Sequence, residues 1–508
     1  MMPRASKEVV LMNKLVQSLK DLTHTENMSL TYSTSGSEVL NLFATGGALR
    51  TRSAKGIISI FEKAFKENIR LSLRCLFYLR DIRGGQGERR TFREILRWLS
   101  ENHPDYVKKN LENVFEFGRW DDLFIIEGTP VWPQVLKTIR EQLDEDIGNL
   151  RKGKSISLLA KWLPSINASS KKSRKLALRL AYALGINPAK YRKTLSALRK
   201  KMDVVERKLS SQDWSDINYE TVPSKASMNY RNAFERHDEK RYQEYIADVY
   251  SGKKKINAST LFPYEIVEKV LYGKHNDSLY SMYENMVNGK GENSATLEVL
   301  WKNQPDYLKG NRHNGLVVAD VSGSMSGRPM ATSIAMAMYF AERTEGEFKN
   351  SFITFSNEPE FIRIEGNTLF EKVQFISTAP WGMNTNLQAV FDMILKRGRM
   401  YNVPQEDMPD TIYIISDMEF DQATRHQTNY EAISELYEQM GYQKPILVFW
   451  NVNARHNHFP VQMNEEGVVL VSGSSPSAFE MLLSGEIETP YEHMQKVLLQ
   501  ERYDRVAV

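Results

Sequence analysis

Leu316-Val317-Val318-Ala319-Asp320-Val321-Ser322-Gly323-Ser324-Met325-Ser326 is the stretch on which the reading of the fold turns. The apolar run Leu316 to Ala319 predicts a short buried strand. A helical pattern follows from Pro329 to Ala341. One carboxylate and several hydroxyls therefore stand on the loop that leaves a strand and enters a helix. Open α/β sheets place their ligands on such loops, at the carboxyl ends of the strands. Carboxylate, hydroxyl and water oxygens are the donors that a hard cation such as Mg²⁺ accepts. Serine and aspartate also cap helices, and a cap alone would account for Asp320 to Ser326 taken singly.

Two later stretches argue for more than a cap. Gly382-Met383-Asn384-Thr385-Asn386-Leu387 opens an amphipathic run to Leu395 and offers the hydroxyl of Thr385. Asp410-Thr411-Ile412-Tyr413-Ile414-Ile415-Ser416-Asp417 reads as a buried strand ending in a carboxylate. Further strands are expected at Ser351 to Phe355, Phe361 to Ile364, Ile446 to Trp450 and Val468 to Val471. Helices are expected between most of them, at Met330 to Thr344, Leu387 to Lys396, Tyr430 to Met440 and Ser477 to Leu483. That alternation predicts a mostly parallel, doubly wound sheet. A last helix at Tyr491 to Leu499 is expected to pack back on the helical domain.

The first part of the chain reads as α-helical. Ile57 to Phe65, Leu71 to Leu79, Phe92 to Leu99, Val107 to Phe117, Val135 to Ile147 and Leu176 to Leu184 carry apolar residues at helical spacing. Short breakers separate them, and this rhythm suggests HEAT-type helix pairs. Gly84-Gly85-Gln86-Gly87 lacks the Walker spacing and reads as a helix-helix turn, not a phosphate loop. Leu209 to Ser259 reads as irregular structure with short helices. The expected fold class is thus α + α/β, with a helical-repeat domain at 1–305, an α/β domain at 311–487 and a helical tail at 488–508.

At 508 residues, 41% hydrophobic and 26% charged, the composition is that of a soluble globular protein. No apolar run approaches the roughly 18 residues of a membrane span, and Met1 to Leu19 does not read as a signal peptide. The single cysteine, Cys75, sits in an apolar helix and reads as a core thiol. A chain without disulfides fits a reducing, cytoplasmic setting. The net charge of +4 conceals an asymmetry. Residues 151–201 hold 15 Lys or Arg and no acid; taking these from the chain's 67 leaves 52 against 63 acids. One segment carries the positive field of an otherwise acidic chain.

Within that segment Leu176, Leu180 and Leu184 repeat every four residues, so a helix can bury them and keep its cations outside. Lys171, Lys172, Arg174, Lys175, Arg179, Arg192 and Lys193 are the expected phosphate contacts. Trp162, Tyr182 and Tyr191 are candidates for base stacking. A solvated helix face is the plainer alternative, but such faces ordinarily mix signs. His456 and His458 fall near the top of the expected sheet and read as plain loop. Asp81, Asp121 and Asp122 lie beside arginines and read as structural ion pairs. No Ser-His-Asp arrangement, zinc spacing or pair of acids for general acid-base work is visible, and the chain is not expected to be an enzyme.

The order Asp-x-Ser-x-Ser, then Thr, then Asp resembles the metal-ion-dependent adhesion site of von Willebrand factor A domains. The resemblance implies Mg²⁺, or Mn²⁺, on Asp320, Ser322, Ser324, Thr385 and Asp417, with one position left for an acidic group of a protein partner. A helical-repeat domain with a basic patch before such a domain resembles the Ro ribonucleoprotein family, whose helical part is the TROVE module. A closer resemblance is to an uncharacterised relative family of the same architecture. Its signatures are Arg80-Asp81-Ile82-Arg83-Gly84-Gly85-Gln86-Gly87-Glu88-Arg89, Phe117-Gly118-Arg119-Trp120-Asp121-Asp122-Leu123, Val448-Phe449-Trp450-Asn451 and Val471-Ser472-Gly473. These resemblances imply a protein that binds structured RNA, and with no apolar span in the sequence no membrane is expected as a partner. The competing expectation is a metal-dependent protein-interaction scaffold without RNA. A metal-dependent phosphodiesterase is disfavoured by the hydroxyl-rich site.

Overall fold

The computed structural model describes residues 21–273, 279–289, 291–308, 314–345, 348–355, 358–379, 385–422, 427–475 and 488–508. The chain forms two compact units, and their division falls within helix Ile69–Arg80. A sheet unit takes Met1–Cys75 and Leu261–Gln500; a helical unit takes Leu76–Thr260 and Glu501–Val508.

The sheet unit begins with a small antiparallel hairpin, β1 (Leu22–His24) and β2 (Leu30–Tyr32). Its main sheet has six strands: β3 (Gly315–Ala319), β4 (Ser351–Thr354), β5 (Phe361–Arg363), β6 (Thr411–Ser416), β7 (Ile446–Asn451) and β8 (Val468–Ser472). Their order is β5-β4-β3-β6-β7-β8. All pairs are parallel except β4 with β5, an antiparallel edge. The strands expected from apolar runs are all present: β3, β4, β6 and β8 are buried at every position and β7 at all but one, whereas the edge strand β5 is largely exposed. β3 and β6 are buried throughout and pair Leu316 with Ile412 and Ala319 with Ile415. The strand order reverses between them, so the carboxyl ends of β3 and β6 form the topological switch point.

The helices at Arg328–Arg343, Leu387–Met400 and Asn429–Met440 match the expected ones to within a few residues. The helix expected at Ser477 to Leu483 lies outside the described residues. Helix Arg328–Arg343 is buried at every residue from Met330 to Ala341. Helix Pro263–Tyr272 covers it, and Tyr272 donates its hydroxyl to Gly327 O at 3.2 Å.

The compact units do not follow chain order: the hairpin, helix Glu38–Gly46 and the helices Pro263–Tyr272, Leu279–Val287 and Ala295–Lys302 all belong to the sheet unit. Helical periodicity says that a face is buried, not which partner buries it. The hairpin breaks the all-helical reading of the first part. Helix Pro490–Leu498 packs on β8 and on helix Glu38–Gly46, a helix of the first part of the chain, within the sheet unit. The signature Val471-Ser472-Gly473 is explained by the packing of helix Glu38–Gly46 on β8. Ser472 donates to Phe43 O at 2.8 Å and accepts from Gly47 N at 3.1 Å. A Cβ on Gly47 would stand 2.8 Å from Gly473 Cα.

The helical unit contains helices Arg90–Asn102, Trp132–Arg151, Lys171–Ala183, Pro188–Lys201, Ser224–His237 and Glu239–Tyr250. The last two replace the irregular structure expected for Leu209 to Ser259. Their polar sequences hide an aromatic core in which Tyr219 meets Phe234, Tyr242 and Tyr245 at centroid distances of 4.9–5.4 Å. The single helix expected at Val107 to Phe117 is broken into Pro104–Lys109, Leu111–Asn113 and a π turn at Val114–Gly118.

The glycine turn joins helices as expected, with Gln86 N donating to Tyr78 O at 3.0 Å. A Cβ on Gly85 would lie 2.0 Å from that same carbonyl. Beyond it the acids expected to be structural are so. Asp122 accepts from Arg80 at 2.8 Å and from Arg93 at 2.5 Å, and Asp121 from Arg89, Arg93 and Arg119 at 2.7–2.9 Å. Asp81 is held by Arg502 and Tyr503.

Candidate functional sites at the sheet switch point and on the basic helices

Asp320 leaves β3 with its amide still on the ladder, donating to Ile415 O at 3.0 Å. Its carboxylate accepts from Ser322 N at 2.8 Å and from the Ser416 hydroxyl at 2.7 Å. Ser322 and Ser324 bring their hydroxyls within 3.1 Å of one another. Asp320 and Asp417 are both buried. Burial raises the affinity of Asp320 for its proton, and the nearby charge of Asp417 raises it further. Two buried carboxylates at one sheet end call for a positive charge between or beside them.

Met418, between Asp417 and Glu419, has a left-handed backbone with φ 67°. An unbranched side chain in that region carries strain, which a loop that aims its neighbours can hold. Thr385 is buried, and its hydroxyl is partly engaged. It donates to Glu419 O at 2.8 Å and accepts from Asn27 at 3.2 Å. Its amide donates to Asp421 at 2.9 Å. Among the described residues, none of its hydrogen bonds goes to Asp320, Ser322 or Ser324. The stretch Gly382-Met383-Asn384 before it lies outside the described residues.

The surroundings of the site were not legible as such. Arg455, on the loop after β7, grips one oxygen of Asp417 at 2.9 and 3.2 Å and Glu26 at 2.7 Å. His456 contacts Glu26 at 2.7 Å, and His458 contacts Glu419 at 2.9 Å. The two histidines thus pair with acids at the sheet top, where plain loop was expected. Asn453 donates to Ser324 O at 3.2 Å, tying the loop after β7 to the loop after β3. Burial alone would raise Glu26, but His456 and Arg455 hold its carboxyl below the usual range. Burial alone would lower Arg455, but Asp417 and Glu26 hold its guanidinium above its usual value. No group of three or more His, Cys, Asp or Glu suited to a metal occurs among the described residues. A site here would be one of hydroxyls with two carboxylates.

On the helical unit, Lys171–Ala183 is capped by Ser170 and buries Ala177, Leu180 and Ala181. Lys171, Lys172, Arg174, Lys175, Arg192 and Lys193 are exposed, and none pairs with an acid among the described residues. Arg179 differs: both its terminal contacts, at 2.7 Å, go to Glu127. Of the stacking candidates only Tyr182 is open, at 69% exposure. Tyr191 is 1% exposed and donates to Pro164 O at 3.0 Å. Trp162 lies under the Arg119 guanidinium at 4.1 Å. Cys75 is buried, which pushes its thiol up and leaves it inert. Among the described residues no helix is long and apolar enough to cross a membrane.

The arrangement is that of a two-unit α + α/β protein. Residues 25–126 and 181–311 match a family model described as a domain of unknown function, DUF2828. Residues 314–506 match a second, DUF7788, also of unknown function. The chain is 30% identical over 518 residues to the uncharacterized protein L728 of Acanthamoeba polyphaga mimivirus, across 94% of this chain and 88% of that one. It belongs to the same family as L728. The crystal structure of the Deinococcus radiodurans RO (RSR) protein is similar over 89% of this chain and 100% of that one, at 14% identity and a TM-score of 0.45.

Proposed function

We propose that this chain is a non-catalytic RNA-binding protein whose helical unit holds structured RNA by its phosphates. The observation that carries this reading is the exposed, acid-free set of cations on helices Lys171–Ala183 and Pro188–Lys201. Lys171 and Lys175 lie one turn apart, and Tyr182 follows two turns after Lys175 on the same stripe. Side chains so placed can neutralise successive phosphates and release their counterions. Arg179 is tied to Glu127 and contributes less than its neighbours. The Ro-like resemblance of the sequence agrees with this reading.

The sheet unit, in this reading, is a von Willebrand factor A-type domain carrying Mg²⁺, or Mn²⁺, and offering it to an acidic group of a protein partner. The donor set fits a hard cation: buried carboxylates at Asp320 and Asp417, with paired hydroxyls at Ser322 and Ser324. These four would hold the ion. Thr385 would join them through the lone pair that its bonds to Glu419 O and Asn27 leave over. When bound, the ion would neutralise the carboxylate pair and accept one outside oxygen.

The test is a gel-shift with structured RNA over a salt series, in Mg²⁺ or EDTA. Replacing Lys171, Lys172, Arg174 and Lys175 by Ala should weaken binding at least roughly tenfold and flatten the log-log salt slope by about 3 to 4. An unchanged slope would remove these helices from the interface. Binding lost in EDTA would argue against separate RNA and metal sites.

A further inference from the structure

The hairpin tip is built into the switch-point site rather than laid beside it. Thr25 donates its hydroxyl to Phe420 O at 2.7 Å, and Glu26 N donates to the Glu419 carboxylate at 2.8 Å. Asn27 donates to Glu419 O at 2.8 Å, and Gln422 N returns a bond to Asn27 O at 3.2 Å. Met28 bridges to Asp421, and Asn429 donates to the Ser29 hydroxyl at 3.0 Å. These bonds fix the backbone around Glu26, so its carboxylate is delivered to one place. There it meets Nη1 of Arg455 at 2.7 Å, while Nη2 of the same guanidinium holds Asp417 at 2.9 Å.

One cation therefore spans two carboxylates of unlike standing. Asp417 is buried and sits at the end of β6, whereas Glu26 stands at the mouth with its side chain 43% exposed. The guanidinium can therefore give up Asp417 and stay paired with Glu26 through its other terminal nitrogen. We propose that Arg455 and a divalent ion compete for Asp417, with Glu26 as the seat that keeps the guanidinium when the ion takes Asp417. This rests on the metal reading above and names how that site is regulated. The hairpin thereby becomes a strap across the site, set by residues far apart in the chain. The metal's affinity is set by the grip of Arg455 as well as by its own ligands.

The test is calorimetric titration of Mg²⁺ into the full chain and four variants. Arg455→Met removes the competitor and should tighten Mg²⁺ binding roughly tenfold or more. Arg455→Lys keeps the charge but loses the planar two-nitrogen grip, and should fall between Met and wild type. Glu26→Gln takes away the second seat and should weaken Mg²⁺ several-fold. It also leaves Asp417 paired, so it reports even if Arg455→Met does not fold. Asp320→Ala is the control for the metal site. Wild-type binding with Arg455→Met equal or weaker overturns the competition while leaving the metal reading intact. Arg455→Lys indistinguishable from wild type, with Arg455→Met tighter, reduces the effect to bulk charge and also overturns it. No binding by any chain at millimolar Mg²⁺ overturns the metal reading and the competition together.

Discussion

Asp122 accepts from Arg80 and Arg93 with no exposed surface, while Arg80 is itself 3% exposed. Removing one charge of such a pair leaves the other buried and uncompensated. Asp122→Asn should therefore destabilise the helical unit by about 3–5 kcal/mol, read as a lower urea midpoint. Arg89, nearly half exposed beside Asp121, is the contrast: Arg89→Ala should cost about 1 kcal/mol or less. That these acids are structural was legible, but which arginines hold them was not: Asp121 takes its neighbour Arg119, whereas Asp122 takes Arg80 and Arg93, and Asp81 takes Arg502 from far along the chain. Asp320 and Asp417 were legible for another reason: each ends an apolar run, and a parallel sheet puts such ends together. Arg455 and Glu26 were not. They meet only because the hairpin docks on the loop after β6, and neither carries a local pattern that says so. Tyr191 illustrates the opposite error. An aromatic among cations suggests stacking, but its position on the buried stripe of its helix took it into the core.

Among elements, the strands were read most closely, because burial on both faces makes the central ones short, mostly apolar runs; the exposed edge strand β5 is the exception. Helices were found where apolar spacing was strong and missed at Ser224–His237 and Glu239–Tyr250, where tyrosines form the core. What the spacing never carried was the partner. Helix Pro490–Leu498 is a case where the partner decides behaviour. Glu488, two residues before it, accepts from Lys496 at 2.5 Å and faces His493 at 3.6 Å. The pull of His493, then of Lys496, outweighs burial and holds its carboxyl down at about 2, against an ordinary 4.5. A depressed carboxylate stabilises the fold above its unfolded pKa and loses that contribution as pH falls through the folded value. Glu488→Gln should therefore lower stability near neutral pH and narrow its gap to wild type between about pH 4.5 and 2. Thermal melts across that range would show it; a gap constant with pH would mean that the charge of Glu488 contributes nothing.

On the scale of the whole molecule, the helical unit is an insertion closed by a distant tail. Residues 501–508 belong to it although the chain has meanwhile built the sheet unit. The tail is bound like a core element. Tyr503 is fully buried against Tyr78 and Phe117 and bonds Asp81 at 3.2 Å. Asn110 donates to Ala507 O at 2.7 Å and accepts from its amide at 2.9 Å, while Asn113 donates to Arg505 O at 3.1 Å. Cutting the chain after Gln500 would strand Asp81, which is fully buried, without Arg502 or Tyr503. The expected loss is about 3–5 kcal/mol for the uncompensated charge, before the aromatic packing is counted. Hydrogen exchange can read this unit by unit. Amides of helix Arg90–Asn102 should lose protection in the truncated chain, while those of β3 and β6 keep theirs, since the contacts removed lie within the helical unit. Equal loss in both would mean that the two units unfold as one cooperative body. Retained protection in the helical unit would mean that the tail is an accessory to a fold already complete within residues 76–260.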